Sequence, residues 1–132
     1  MDPDAVNLNI HFNQRLYIYD NTIKEPIGTH IRTIVFNLTD KSDITSVIFP
    51  NSVEVVEFYL CNLSFDNIKW ENSSITHIFF DSYCYQNISN IIWPTKLIFV
   101  DFGKYFNQNI VDVKWPHSLQ TMSFNKDRKS VV

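Results

Sequence analysis

Glycine and cysteine are both scarce in this chain of 132 residues, which contains two of each. With only Gly28 and Gly103, the backbone cannot readily wrap a phosphate group, and no phosphate loop, GxGxxG or GxSxG motif occurs. The two cysteines, Cys61 and Cys84, have no CxxC partner, so a disulfide framework or a structural zinc site is not predicted. Reduced, buried thiols and a protein without a cofactor are therefore expected.

Charge of a single sign and long apolar runs are missing as well. The 14 acidic and 11 basic residues give a formal charge of −3, and no basic stripe is present that could neutralise phosphates, so nucleic acid is not expected as a partner. No apolar run approaches the ~20 residues that a membrane span needs, and the first five residues lack the basic start and apolar stretch of a secretory signal. We therefore expect an intracellular, cytoplasmic protein that does not enter a membrane.

Aromatic residues, in contrast, are abundant: the chain has eleven Phe, six Tyr and three Trp. Such large side chains favour β structure over close-packed helices. Four aromatic residues mark a repeat, because they are separated by 21, 23 and 22 residues and a common apolar pattern follows each of them. These anchors are Phe49, Trp70, Trp93 and Trp115. The patterns are Val53-x-x-Val56-x-Phe58, Ile75-x-x-Ile78-x-Phe80, Leu97-x-x-Val100-x-Phe102 and Leu119-x-x-Met122-x-Phe124.

A second apolar triplet ends at each anchor, so every repeat has two halves. These triplets are Ile44-x-x-Val47-x-Phe49, Phe65-x-x-Ile68-x-Trp70, Ile88-x-x-Ile91-x-Trp93 and Ile110-x-x-Val113-x-Trp115. The last two apolar positions of each triplet are two residues apart, which is the period of a strand, and both therefore point inward. One coil cannot bury its apolar side alone, but stacked coils share a continuous core. The sequence predicts a mainly β, right-handed solenoid of about five ~22-residue coils, each with two short parallel strands.

The array is predicted to occupy residues 27–125, with a triplet from Ile31 to Phe36 as its first member. Residues 1–26 contain alternating apolar positions such as Leu16 and Ile18 and are assigned to an extended N-terminal cap, while residues 126–132 form a polar tail. The register places the three Trp residues in a core stack. It also predicts that Cys61 and Cys84 lie ~5 Å apart in adjacent coils.

The triplet L-x-x-L-x-F is similar to that of leucine-rich repeats, and the segment from Trp93 to Leu119 resembles more narrowly the FNIP repeat. That repeat reads approximately P-x-S-L-x-x-L-x-F-G-x-x-F-N-x-P-I, which matches the phrase from Phe102 to Ile110 except that Asn109 replaces the Pro. The resemblance covers about three-quarters of the chain and is strongest in its last third. It implies an interaction module of social amoebae and giant viruses of amoebae, frequently joined to an F-box that docks to a ubiquitin ligase. Residues 1–26 are too short for an F-box.

The two faces of the predicted coil differ in their outward residues. On the face after the anchors, the outward positions in the middle of the array combine aromatic, apolar and acidic side chains, which is the composition of a binding hot spot with a polar rim. These candidate partner-binding residues are Val55, Glu57, His77, Phe79, Phe99 and Asp101. The alternative is that this cluster packs on the N-terminal segment or reflects strand propensity alone. The outward residues of the other face are typical of a solvated surface.

No arrangement of residues indicates catalysis. The four histidines show no spacing typical of metal ligands; they are His11, His30, His77 and His117. Glu57 and Asp101 would lie two strands apart, at ~10 Å, which fits paired-carboxylate glycoside hydrolysis, but solvated carboxylates are common on strands and no cleft is implied. The sequence therefore predicts a non-enzymatic module that binds another protein. The alternative function is a structural element that associates with itself through its C-terminal coil.

Overall fold

The computed structural model describes residues 16–19, 25–37, 43–59, 64–80 and 87–124. Within these ranges the chain forms six strands and no helix, and the strands form one parallel sheet in chain order. The strands are β1 (Leu16–Tyr19), β2 (Thr33–Asn37), β3 (Val55–Tyr59), β4 (His77–Phe80), β5 (Phe99–Asp101) and β6 (Thr121–Ser123). The predicted parallel β-solenoid is confirmed. The sheet also includes β1, which lies in the segment assigned to the cap, so that with one strand per coil the described residues contain six strands where five coils would give five.

The sheet repeats with a constant period. Thr33 pairs with Val55, and each later strand pairs with residues 22 positions further on, up to the pairing of Phe99 with Thr121. β1 differs, since Leu16 pairs with Thr33 after only 17 residues. Most of residues 1–26 and all of residues 126–132 lie outside the described part. The assignment of these two segments to a cap and a tail stays a prediction.

The segment between Trp70 and Ile75 is one residue longer than the corresponding segments of the other repeats, and this extra residue, Ser73 or Ser74, leaves the period of the sheet unchanged. Ser73 is buried, its hydroxyl donates to the Trp70 carbonyl oxygen at 2.6 Å, and it accepts from the Ile75 amide at 3.3 Å. A buried hydroxyl is costly unless it is hydrogen-bonded, and both bonds are made within the same corner. The insertion is therefore accommodated locally and does not shift the strands.

The half of each coil that ends at the anchor differs from the prediction. Its apolar residues are buried as expected, but in the described residues it forms no strand, and each coil contributes one strand instead of two. The first part of the triplet closes a turn, with the Val47 amide donating to the Ile44 carbonyl at 3.1 Å and the Ile91 amide to the Ile88 carbonyl at 3.3 Å. A turn and a strand bury the same alternate positions here, so the apolar pattern did not distinguish them.

A short polar side chain begins each of these turns by accepting the amide of the residue two positions later. Asp43 accepts from Thr45, Asn87 from Ser89 and Asn109 from Val111, each at 2.9 Å, and Ser64 plays the same part for Asp66 at 3.2 Å. The hydrogen bonds from the Thr45 hydroxyl and amide hold the pKa of Asp43 below its ordinary value of 3.8.

Two columns of stacked aromatic rings form the core. One column lies behind the sheet, with ring centroids 4.9 to 5.6 Å apart, close to the spacing of adjacent strands. It consists of Tyr19, Phe36, Phe58, Phe80, Phe102 and Phe124. The other column follows the anchors, with centroids 5.0 to 6.2 Å apart, and consists of Phe49, Trp70, Trp93 and Trp115. Trp70 and Trp93 are buried, as predicted, and the Trp70 indole N–H donates to the carbonyl of Ile92 at 2.7 Å.

Candidate functional site: the outward face of the sheet

The side of the sheet that points away from the core carries the candidate residues in two rows. Strand alternation and the observed pairing put every second residue on this side, which we call the outward face. One row is Leu16, Thr33, Val55, His77, Phe99 and Thr121. The other row is Ile18, Val35, Glu57, Phe79, Asp101 and Ser123. Neither row contains Lys or Arg, so the described strands present an apolar and aromatic surface with acidic side chains and one histidine.

The centre of the outward face is an aromatic cluster. The Phe79 and Phe99 rings lie 5.4 Å apart between centroids, tilted by 43°, and the His77 ring stacks on Phe99 at 5.7 Å. All three side chains are half-buried, together with Val55. Phe79 and Phe99 were predicted to be exposed anchors; they cover part of one another because parallel pairing brings neighbouring strands within ~5 Å. The cluster therefore offers a packed aromatic surface instead of two isolated rings.

Glu57 lies beside this cluster on β3. It pairs in register with Phe79, and the Tyr59 hydroxyl donates a hydrogen bond to its Oε1 atom. Both Glu57 and Tyr59 are half-buried. The hydrogen bond joins two residues of the same strand on the same face, which holds the carboxylate against the sheet. The outward face thus places a positioned acid next to aromatic rings.

Asp101 does not belong to the exposed rim, and that expectation is wrong. The residue pairs in register with Phe79, as predicted, but only 2% of its surface is exposed. Its Oδ1 atom accepts a hydrogen bond from the amide of Gly103 at 2.8 Å, because the chain turns at Gly103 with a φ of 75° and brings that amide back over the end of β5. Asp101 therefore stabilises the end of a strand and is not available for contact with a partner.

His77 is joined to its neighbour in the chain as well as to the cluster. Its Nδ1 atom lies 2.9 Å from the Thr76 hydroxyl, and that hydroxyl donates to the Glu54 carbonyl oxygen at 3.2 Å. Among the described residues, no group of three or more His, Cys, Asp or Glu side chains could hold a metal ion. The prediction for Cys61 and Cys84 lies outside these residues, as does His11.

The opposite side of the coils, next to the anchors, carries exposed apolar side chains, although an ordinary solvated surface is predicted there. Ile48 is 81% exposed and Ile92 62% exposed, with the exposed Lys69 on the coil between them. They line a shallow depression of about 500 Å³ that Glu71 also borders. The two isoleucines at outward positions are the sequence signal from which this apolar patch could have been predicted. Ionic and apolar side chains alternate here, in contrast to the outward face of the sheet.

One parallel strand per 22-residue coil, closed on the other side by turns, defines a leucine-rich-repeat-like solenoid, a fold that typically acts as a binding scaffold. A solved structure, that of CroV588, a circular LRR protein of the giant virus CroV, is similar to this chain. The two are 26% identical with a TM-score of 0.61, and the match covers 75% of this chain and 15% of CroV588. The chain thus spans a small part of the length of that protein.

No family model matches the chain, and no curated protein matches it. The comparisons therefore support a leucine-rich-repeat-like solenoid that is similar to one from a giant virus. They do not show the narrower FNIP-repeat family. In the described part of the chain, no helix is long and apolar enough to cross a membrane.

Proposed function

We propose that this chain is a protein-binding module that uses the outward face of its sheet. The observation that carries the proposal is the aromatic cluster of His77, Phe79 and Phe99, which lies at the middle of a face without Lys or Arg on its described strands. Stacked coils create extended surfaces of this kind, and aromatic side chains dominate the energetics of binding interfaces. Val55 and Glu57 extend the surface on the neighbouring strand, whereas Asp101 is buried and bonded to the Gly103 amide.

We also propose that the module has no catalytic activity and takes no cofactor. Its support is the fold, since scaffolds of stacked coils present surfaces more often than they assemble reacting groups. The two carboxylates that pair in register with Phe79 do not form a matched pair, because Asp101 is buried against the Gly103 amide while Glu57 is half-buried. We further propose that the protein acts in the cytoplasm, the host cytoplasm if its source is viral.

The finer assignment to FNIP-type repeats is supported by the conformation of the phrase that resembles them. Gly103 adopts a φ of 75°, a conformation that side chains with a Cβ disfavour, and this is the position of the glycine in the repeat. Phe106 stacks on Phe102 with centroids 4.3 Å apart. A further part of the proposal is that the chain delivers the bound protein to a ubiquitin ligase. It requires the chain to bind two proteins at the same time.

The test is a quantitative affinity capture from the native cells with the wild-type protein and with a Phe79→Ser, Phe99→Ser double variant. We expect the partner to be lost from the double variant, since each hot-spot aromatic contributes about 2 kcal/mol or more to binding. The matched control is Lys69→Ser with Lys114→Ser on the opposite side, which should capture the partner as wild type does. Asn67 is not a suitable control, because serine does not favour its φ of 63° and Asn67→Ser would be costly in itself.

Circular dichroism and thermal unfolding of the double variant accompany the capture. Both Phe side chains are half-buried, so a modest loss of stability is expected, and binding is compared below the unfolding transition of the variant. Capture at the wild-type level by a folded double variant would show that the partner uses another surface.

Self-association through the C-terminal coil is the second candidate function, and one observation favours it. Phe124 is 45% exposed although it continues the aromatic column behind the sheet, and Trp115 and Met122 are only half-buried. A second copy stacked on this coil would bury them. Sedimentation across a hundredfold range of concentration tests this, with Phe124→Ser as the variant. A monomer at all concentrations would eliminate the candidate.

A further inference from the structure

The outward face combines an acidic side chain with packed aromatic rings, and this combination restricts the chemistry of the partner. Glu57 pairs with Phe79 on the next strand, so the carboxylate and the ring lie one strand spacing apart, ~5 Å. Phe99 lies on the far side of Phe79, with a centroid separation of 5.4 Å. A side chain that packs on these two rings therefore comes within reach of the carboxylate.

The Tyr59 hydroxyl donates to the Oε1 atom of Glu57, which holds the carboxylate in position. A partner that covers the aromatic cluster also comes close to this half-buried acid. A cationic side chain of the partner would be attracted by the carboxylate, whereas an acidic side chain would be repelled by it.

Arginine fits both halves of this surface better than lysine does. Its planar guanidinium stacks on aromatic rings, is more weakly hydrated than an ammonium group, and donates two parallel hydrogen bonds to a carboxylate. The described strands place no Lys or Arg on the outward face, so they present no like charge that would repel an arriving guanidinium. The formal charge of the whole chain, −3, favours the approach of a basic segment in the same sense.

We propose that the partner inserts an arginine side chain, flanked by apolar residues, between the aromatic rings of Phe79 and Phe99 and the carboxylate of Glu57. The inference rests on the proposed function, since it names the chemistry of the partner that the outward face binds. The bound guanidinium packs on the rings and donates to the Oε2 atom of Glu57. Apolar residues beside the arginine contact Val55 and Val35, which lie on the neighbouring strands.

The experiment uses a displayed library of random twelve-residue peptides, selected on the wild-type protein. We expect the selected peptides to share an arginine next to apolar residues. One of them is then synthesised with arginine and with citrulline, which has the same shape but no charge. Citrulline should weaken binding at least tenfold, and the affinity of the arginine peptide should fall as the salt concentration rises.

Two single-charge variants localise the effect. Glu57→Gln retains an oxygen that accepts from Tyr59 and should lower the affinity for the arginine peptide at least tenfold. It should leave the affinity for the citrulline peptide nearly unchanged. The matched control is Glu71→Gln, which changes the net charge equally but lies on the opposite side, by the depression next to the anchors. This control should bind both peptides as the wild-type protein does.

The outcomes separate this inference from the proposed function. Three results would overturn the proposal that the partner inserts an arginine. They are selected peptides without a shared cation, equal binding of the arginine and citrulline peptides, or failure to select any peptide. If the Phe79→Ser, Phe99→Ser variant still lost its partner in the native capture, the outward face would remain the binding surface. Conversely, normal binding of the arginine peptide to that folded double variant would overturn both, because the rings would then take no part.

Discussion

Two coils of this solenoid have nearly the same apolar pattern and very different surroundings. In the coil that leads into β5, Trp93 is 3% exposed and Phe102 is fully buried, whereas in the next coil Trp115 is half-buried and Phe124 is 45% exposed. The rings are stacked in pairs, with Trp93 on Trp115 at 5.0 Å and Phe102 on Phe124 at 5.6 Å. The difference teaches that a neighbouring coil on each side, and not the residue itself, determines burial in a solenoid.

The largest effect is expected from removing the same side chain from each coil. Trp93→Ala should destabilise the protein by about 3–5 kcal/mol, because the site is filled from both sides and can relax little. Trp115→Ala should cost roughly half as much, since part of that ring is already in water. Urea unfolding followed by circular dichroism measures both. Equal costs would show that the last coil is covered as completely as the central one.

An intermediate effect is expected where the chain leaves the central coil. Gly103 has a φ of 75°, and its amide donates to the buried Asp101 carboxylate. Gly103→Ala should destabilise by about 1–2 kcal/mol, because a Cβ disfavours this backbone conformation. Asn67→Gly provides the comparison, since glycine suits its φ of 63°, and it should change the stability by no more than about 0.5 kcal/mol. If Gly103→Ala were equally neutral in urea unfolding, the conformation at Gly103 would differ from the one described.

The smallest effect concerns two of the turns that precede the anchors, the one before Phe49 and the one before Trp115. Asp43 and Asn109 accept the same type of backbone hydrogen bond, but only Asp43 titrates. Its pKa is lowered in the folded state by the bonds from Thr45, so the ionised form stabilises the protein above about pH 4. This contribution is lost as the pH falls through the folded pKa. The urea midpoint of wild type should therefore fall more steeply below pH 4 than that of Asp43→Asn, and parallel curves would contradict the assignment.

The sequence was sufficient to predict the solenoid, the direction of the side chains and the aromatic stack. Aromatic anchors about 22 residues apart leave few other ways to bury Trp70 and Trp93. The second strand of each coil was predicted wrongly, because a turn such as Ile44 to Val47 buries the same positions as a strand. The local pattern specifies which residues are inside, and the hydrogen bonds between coils decide which segments form a ladder.

The candidate site was predicted in outline but not in detail. Alternation correctly placed Glu57 and Phe79 on neighbouring outward positions. It could not show that Asp101 is buried, since that depends on a bond to an amide two residues later, across a turn at Gly103. Ile48 and Ile92 lie on the face that was predicted to be an ordinary solvated surface, and both are exposed. Side-chain hydrogen bonds and the packing of neighbours, which a repeat pattern does not contain, account for these differences.

The constant 22-residue pairing distance from β2 to β6 has a kinetic consequence. Each of these pairings closes a chain segment of the same length, so each one costs the same loop-closure entropy. No contact between more distant coils has to form first. Folding can then nucleate at any pair of adjacent coils and spread toward both ends. The packing energies of the coils, rather than the topology, should then select the nucleus, and we expect it at the aromatic-rich centre around Phe58, Phe80 and Trp93.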